Sequence, residues 1–250
     1  MKIVIIGGSG LIGKKLASRL TAAGHEVISA SPSTGVNTLT GEGLAEAFKG
    51  THTVVDVSNS PSWEAAAVLN FFQTSARNIA AAEKAAGVQH HVALSVVGAD
   101  RMTNVGYMPA KVAQEQIIKT SGIPYSILRA TQFFEFVGAI ADASTDGDTV
   151  RMPLAHFQPI AADDVAAALA DVATGQPING IVDVAGPDKL PIVDFVQKSL
   201  TAKHDKRKAV ADPKGLYYGG PIEDTSLVPV SAKPRIAPTH FTDWLAAHAS

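Results

Sequence analysis

The residues whose types and spacing suit chemistry begin almost at the first position. The apolar run Ile3 to Ile6 leads into Gly7, Gly8, Gly10 and Gly13, and Gly8-Ser9-Gly10-Leu11-Ile12-Gly13 fits the pattern G-x-G-x-x-G. Gly7, Gly10 and Gly13 also fit a G-x-x-G-x-x-G spacing. A strand that passes at once into such a turn and then a helix brings backbone N–H groups and a helix N-terminus against a pyrophosphate. Leu11, Leu16 and Leu20 give the following segment the apolar stripe of a helix. The expected ligand is a dinucleotide, bound by Gly7, Gly8, Ser9, Gly10, Leu11, Ile12 and Gly13.

Tyr107-Met-Pro-Ala-Lys111 is the second such feature. Residues four apart on a helix share one face. A lysine ammonium near a phenol lowers the phenol pKa and prepares it to exchange a proton with a carbonyl or alcohol oxygen. Ser95, at the end of an expected strand, is placed to hold a substrate oxygen, because the carboxyl ends of strands in a doubly wound sheet face the ligand crevice. The same Tyr and Lys spacing occurs as two surface residues of a helix. Its place downstream of a glycine turn and after a strand favours catalysis by Tyr107, Lys111 and Ser95.

Cofactor choice is read at the end of the second expected strand. An NAD site places an acid there to bind the ribose 2′-hydroxyl. Here the segment is Ser29-Ala-Ser-Pro-Ser33, with Lys14 and Lys15 on the preceding helix and no carboxylate to repel a 2′-phosphate. NADP is therefore expected over NAD, with Ser29, Ser31 and Ser33 near the ribose.

The elements that must position these residues alternate between strand and helix. Strands are expected at residues 3–6, 25–30, 53–57, 88–97 and 124–128, and helices at 43–48, 63–86 and 109–120, which is the pattern of a parallel sheet covered on both faces. Beyond residue 131 the alternation loosens. A helix is expected at 132–141, two short strands around Pro153, helices at 163–174 and 192–203, a strand at 181–185 and a closing helix from 241. With 250 residues, 46% of them hydrophobic, the chain can bury a full core. No run of about 18 apolar residues and no secretory leader is present, so a cytoplasmic location is expected. The absence of cysteine excludes disulfides, thiolate metal sites and a thiol nucleophile. A net charge of −2 gives no general attraction to nucleic acid, and the basic cluster Lys203 to Lys208 reads as a solvated helix end. The expected partner is a small-molecule substrate, without nucleic acid or membrane; nothing in the sequence specifies an oligomeric state.

Taken together, the glycine turn, Val54-Val-Asp-Val-Ser58, Ala93-Leu-Ser-Val-Val-Gly98, Tyr107 with Lys111, Ile127-Leu-Arg-Ala-Thr-Gln-Phe133 and Gln158-Pro-Ile-Ala-Ala-Asp-Asp-Val-Ala166 resemble an atypical short-chain dehydrogenase/reductase close to the NmrA-like branch. The resemblance spans residues 1 to about 185, and Phe241-Thr-Asp-Trp244 adds weaker support. It implies a Rossmann-type doubly wound parallel sheet with a small C-terminal substrate lobe, and NAD(P) as ligand. In that scheme residues 1–131 form the dinucleotide-binding core, with 158–185 returning to it, while 132–157 and 186–250 form the substrate lobe. Ser58 and Thr131 join the cofactor residues. Ala130 stands where relatives commonly carry proline, which makes the strand end beside Thr131 and Gln132 less rigid. The implied activity is reduction of a carbonyl or similar group by hydride transfer from NADPH. Some NmrA-like proteins instead use the bound dinucleotide to sense redox state and control a partner protein, and these often lack the Tyr and Lys pair.

The remaining candidates read as structural. Asp163 and Asp164 suit capping of a helix N-terminus. Arg129 suits pairing with a carboxylate. His90 and His91, adjacent on a strand, point to opposite faces, which is poor metal geometry, and no metal site is expected. Trp63, Phe133, Phe134, Met152 and Phe157 suit either an apolar substrate pocket or plain core.

Overall fold

The computed structural model describes residues 1–248; residues 249 and 250, which the expected lobe 186–250 includes, lie outside the described residues. The strands are β1 (Lys2–Ile6), β2 (Glu26–Ala30), β3 (Thr53–Asp56), β4 (His90–Val96), β5 (Tyr125–Ala130), β6 (Thr145–Asp146), β7 (Thr149–Met152), β8 (His156–Phe157), β9 (Gly180–Ala185), β10 (Leu190–Pro191), β11 (Lys208–Ala211) and β12 (Arg235–Ile236). The helices are α1 (Leu11–Ala22), α2 (Leu44–Phe48), α3 (Ala65–Ala86), α4 (Tyr107–Thr120), α5 (Val137–Ala143), α6 (Ala162–Thr174), α7 (Ile192–Ala202) and α8 (Phe241–His248). Seven strands form a parallel sheet in the order β12-β9-β5-β4-β3-β1-β2, the doubly wound Rossmann arrangement. A small mixed sheet follows, with β7 parallel to β11 and antiparallel to β6, and β8 pairs antiparallel with β10. No helix among the described residues is long and apolar enough to cross a membrane.

The chain forms two compact units. The first comprises Met1–Ser95, Gly106–Arg129 and Val165–Val182, and the second Val96–Val105, Ala130–Asp164 and residues 183–248. In the first, a strand covered on both faces must be apolar throughout. Ile3, Val4, Ile5, Val54 and Val55 are fully buried accordingly. Val4 and Ile6 pack with Leu44, Phe48 and Ile79, so β1 is locked to α2 and α3 and its end, where the glycines begin, is fixed. The long helix α3 starts on Glu64, whose carboxylate accepts from the N–H groups of Ala66 and Ala67, and stops at Gly87 in the left-handed conformation. Helix α4 begins at Tyr107, two residues ahead of the expected start at Pro109. Proline is tolerated there because a first-turn N–H has no helical acceptor.

The second unit is organised by aromatic rings. Phe134 meets Phe241 at 5.0 Å between centroids, Phe241 meets Phe195 at 5.2 Å, and Phe195 meets Phe157 at 5.5 Å. The expected helix at 132–141 is divided into a 3-10 turn over Phe134–Phe136 and then α5. Strands β6, β10, β11 and β12, of two to four residues, were not expected from the sequence. The basic cluster is not simply a helix end: Lys208 opens β11, and Arg207 is held by Asp205, Asp142 and Thr145.

Candidate active site

Gly7 leaves β1 with φ +81° and donates to the Ala30 carbonyl at 2.9 Å. Each glycine of the turn except Gly10 is required by close packing. A Cβ at Gly7 would lie 2.9 Å from Ser58 Cα, one at Gly8 would lie 2.6 Å from Ser29 Cβ, and one at Gly13 would run into the Gly7 carbonyl oxygen. At Gly10 the same atom meets only the Gly7 oxygen, at 3.3 Å. Gly10 caps α1 without a side-chain hydrogen bond, and the first turn carries no acid. The N–H groups of that turn and the positive end of the helix are therefore unmasked, which suits a pyrophosphate. Ser9 and Leu11 are exposed, while Ile12 is a core residue. Beside Gly7, the Ser58 hydroxyl oxygen is buried without a hydrogen-bond partner, an orphan that a polar ligand group would satisfy. These features fit a dinucleotide.

The end of β2 is a short turn, Ser31 to Gly35. Thr34 Oγ1 accepts from the Ser31 N–H at 2.9 Å, and the Ser31 and Ser33 hydroxyls lie 2.8 Å apart. Ser29 lines the turn by packing on Gly8, Ser31 is buried and Ser33 is exposed. No carboxylate stands in this segment.

On α4, the structure brings Tyr107 and Lys111 to one aromatic ring. Tyr107 meets Phe72 edge-on, with centroids 5.6 Å apart, and the Lys111 ammonium sits 4.3 Å from the centre of the same ring. The two polar ends are not joined to each other. Lys111 Nζ donates to the Leu94 carbonyl at 2.9 Å and to Gln114 Oε1. Gln114 Nε2 donates in turn to Asp56 Oδ2 at 2.8 Å, and Asp56 Oδ1 accepts the Ser58 N–H at 2.9 Å. Burial lowers the Lys111 pKa to about 8, while the carboxylates of Asp56 and Glu115 push the other way. The expected lowering of the phenol pKa by Lys111 does not occur in this arrangement. Burial, then the nearby Asp56 carboxylate, drives Tyr107 well above the ordinary phenol range, so the hydroxyl keeps its proton.

Ser95 is placed differently from its expected role. Its hydroxyl donates to Glu115 Oε1 at 2.7 Å, and Glu115 takes Arg129 in a two-pronged pair at 2.8 Å on each arm. Burial alone would raise the Glu115 pKa, but hydrogen bonds from Arg129 and Ser95 and the charges of Arg129 and Lys119 hold it below its usual range. Ser95 is thus part of a buried ion-pair network, which leaves it poorly suited to donate to a substrate oxygen.

In the second unit, Thr131 donates its N–H to the Val184 carbonyl at 3.0 Å, and its hydroxyl oxygen is buried without a partner. Phe134, Met152 and Phe157 are fully buried core, whereas Phe133 stacks on Phe136 at 5.5 Å. Asp163 and Asp164 lie in the first turn of α6, where Asp164 accepts from Thr239 N–H, and Glu135 accepts the Ala162 N–H with both oxygens at 3.2 Å.

Asp56 and Gln114 were not singled out as site residues by sequence reasoning. An acid closing an apolar strand and a glutamine three residues after Lys111 were their signals. Trp63 is 79% exposed and lies 6.3 Å from the Tyr107 ring, so it faces solvent beside the phenol rather than filling the core.

Residues 7–176 match the NAD(P)H-binding family. The chain is similar to (4-alkanoyl-5-oxo-2,5-dihydrofuran-3-yl)methyl phosphate reductase of Streptomyces griseus subsp. griseus, with 25% identity over 288 aligned positions, 99% of this chain and 98% of the relative. It is also similar to the photosystem II assembly factor Ycf39 of Cyanophora paradoxa, with 24% identity over 165 positions, covering 60% of this chain and 51% of that protein. In fold it is similar to MoeE5, solved in complex with UDP-glucose and NAD, with a TM-score of 0.75 and 14% identity, covering 100% of this chain and 97% of the other.

Proposed function

The chain belongs to the NAD(P)H-binding family as an atypical short-chain dehydrogenase/reductase, and from that premise we propose that it reduces the carbonyl or a similar group of a small molecule with NADPH. The observation that carries this reading is the Tyr107 phenol. It opens α4 one turn before Lys111, holds its proton, and belongs to the same compact unit as the glycine turn. A protonated phenol can pass its proton to the oxygen of a carbonyl as that oxygen gains negative charge, and its raised pKa makes that transfer harder than from an ordinary phenol.

The glycine turn from Gly7 to Gly13, with Ser58, would hold the dinucleotide, and the acid-free Ser29 to Ser33 segment favours the phosphorylated form. NADPH supplies the hydride when bound. Tyr107 donates the proton, and Lys111, one turn further along α4, supplies a donor for the ribose. Ser95 is left out of the proposed chemistry because its proton is committed to Glu115. The similarity to a reductase along nearly the whole of both chains supports the reaction class.

The test is a panel of aldehydes, ketones, quinones and unsaturated lactones, followed by loss of reduced-nicotinamide absorbance. Turnover that survives Tyr107→Phe unchanged would overturn the assignment.

A second reading, an NADP-binding regulator of a protein partner, is supported by the similarity to Ycf39, named as an assembly factor. Tight NADPH binding, silence across the panel and a stoichiometric partner in purified complexes would favour it.

A further inference from the structure

Lys111, Gln114 and Asp56 form a continuous chain with almost no contact with solvent: they are 2%, 1% and 1% exposed. Its direction is fixed by chemistry. An ammonium only donates and a carboxylate only accepts, so the amide between them must turn its oxygen to Lys111 and its nitrogen to Asp56, as it does. The far end is also tied down, because the other oxygen of Asp56 accepts the N–H of Ser58, the residue that packs against Gly7. Lys111 spends one donor on Gln114 and one on the Leu94 carbonyl. With two of its three N–H groups anchored, the direction of the third is set.

We propose that Asp56 and Gln114 are positioning residues for Lys111: the carboxylate, acting through the amide, keeps the buried lysine protonated and aims its remaining N–H. The relay is a statement about the charge and orientation of Lys111. Its consequence for turnover rests on the reading, given under Proposed function, that Lys111 takes part in the reaction. The ammonium is faced from each element packed on it: by Asp56 from β3, Glu115 from α4 itself, the Phe72 ring from α3 and the Leu94 carbonyl from β4. His91 on β4 also feels Asp56, but its own hydrogen bond is to Glu83. Glu115 is already paired with Arg129, so Asp56 is the carboxylate whose hydrogen-bonded path leads to Lys111.

The full-length protein, labelled with 13C at the lysine ε-carbon, allows the Lys111 resonance to be assigned by its loss in Lys111→Met and titrated with pH, with and without NADPH. The relay predicts that Asp56→Asn lowers the Lys111 titration midpoint by about one pH unit or more, since a partner of opposite charge is lost. Gln114→Met, close in length and without the amide, lowers it as well and carries the test if Asp56→Asn fails to fold. Asp56→Glu, which retains the charge, restores most of the shift. A midpoint unmoved in both Asp56→Asn and Gln114→Met overturns the relay. The pH profile of kcat then separates the two claims. A shifted lysine with an unshifted profile upholds the relay and removes Lys111 from the proposed reaction. A shifted profile over an unshifted lysine overturns the relay.

Discussion

At the glycine turn the groups that matter are backbone N–H groups with no side chain capping them, whereas on α4 the polar side chains of Lys111, Gln114 and Glu115 are each already engaged inside the protein. The two regions belong to one compact unit and are built on opposite principles. The turn works by lacking side chains, so its tolerance is steric and close to all-or-none. The α4 network works by exchangeable hydrogen bonds and paired charges, so its responses should be graded and dependent on pH. Substitutions that change sterics in one region and charge in the other can break this distinction.

The largest effect belongs to the turn. Gly13→Val would force a branched side chain into the Gly7 carbonyl and the Gly8 backbone, neither of which is a flexible end. A loss of about 3 kcal/mol or more is expected, read as a fall in the thermal or urea midpoint. Gly10→Val should separate folding from binding, because that position meets only one atom at 3.3 Å. It should melt near the parent while NADPH affinity in calorimetry falls by about 10²-fold or more, since the valine stands where the pyrophosphate approaches. Normal binding by Gly10→Val would mean that the phosphate site lies elsewhere.

The charged part of α4 gives the next effect. Glu115→Gln leaves Arg129 and Ser95 with a neutral acceptor in a buried place, and a loss of about 3 kcal/mol is expected at neutral pH. Because the folded pKa of Glu115 is depressed, its contribution is present above the ordinary glutamate pKa and fades as pH falls through the depressed value. The difference in stability between parent and variant should therefore narrow on acidification. A gap constant from neutral to acid pH would show that the pair is not holding a charge.

Tyr107→Phe keeps the ring on Phe72 and removes the proton, so kcat on any accepted substrate should fall by about 10²-fold with little change in NADPH affinity. Ser31→Asp should be milder, weakening NADPH by about tenfold through repulsion of a 2′-phosphate while leaving NADH less affected. Equal weakening of both would point to a collapsed turn instead, since the Ser31 hydroxyl also meets that of Ser33.

What the sequence made legible follows the same division. The strand, turn and helix of the glycine motif leave a dense local signal, because each feature is set by residues adjacent in the chain. The Tyr107 and Lys111 spacing was legible too, although the helix begins at Tyr107, two residues ahead of the expected start. Their partners were not. Lys111 turns to Gln114 and on to Asp56, and Ser95 turns inward to Glu115, twenty residues away, because burial demands that each polar group find a partner wherever packing supplies one. Those pairings depend on which faces of β3, β4 and α4 meet, and a linear pattern does not encode that. The start of α6 makes the point in the second unit: beside the two aspartates read from the sequence, Glu135, 27 residues upstream of Ala162, accepts that residue's N–H.

The smallest expected effect tests whether the α4 face has an outer wall as well as an inner network. Trp63 is held out by a loop of short side-chain turns, in which Ser60 Oγ accepts from Ser62 N–H and Ser62 Oγ from Glu64 N–H, and its ring is 6.3 Å from Tyr107. Since the ring is 79% exposed, Trp63→Ala should change stability by no more than about 0.5 kcal/mol. If the ring borders the substrate, a flat aryl ketone or quinone loses a stacking surface. Its KM should then rise about threefold to tenfold with kcat nearly unchanged, as expected for an interaction made equally in ground and transition states. A small aliphatic aldehyde, too short to reach across, should show no change in KM. The same rise for both would indicate a general disturbance of the loop, and no rise for either would place the substrate on the far side of Tyr107. Fluorescence gives a second readout without turnover, because Trp244 stacks between Phe241 and His248 while Trp63 faces solvent. Saturable quenching by a flat, non-reacting aryl ligand should disappear in Trp63→Ala and persist in Tyr107→Phe, which keeps the wall and loses only the proton.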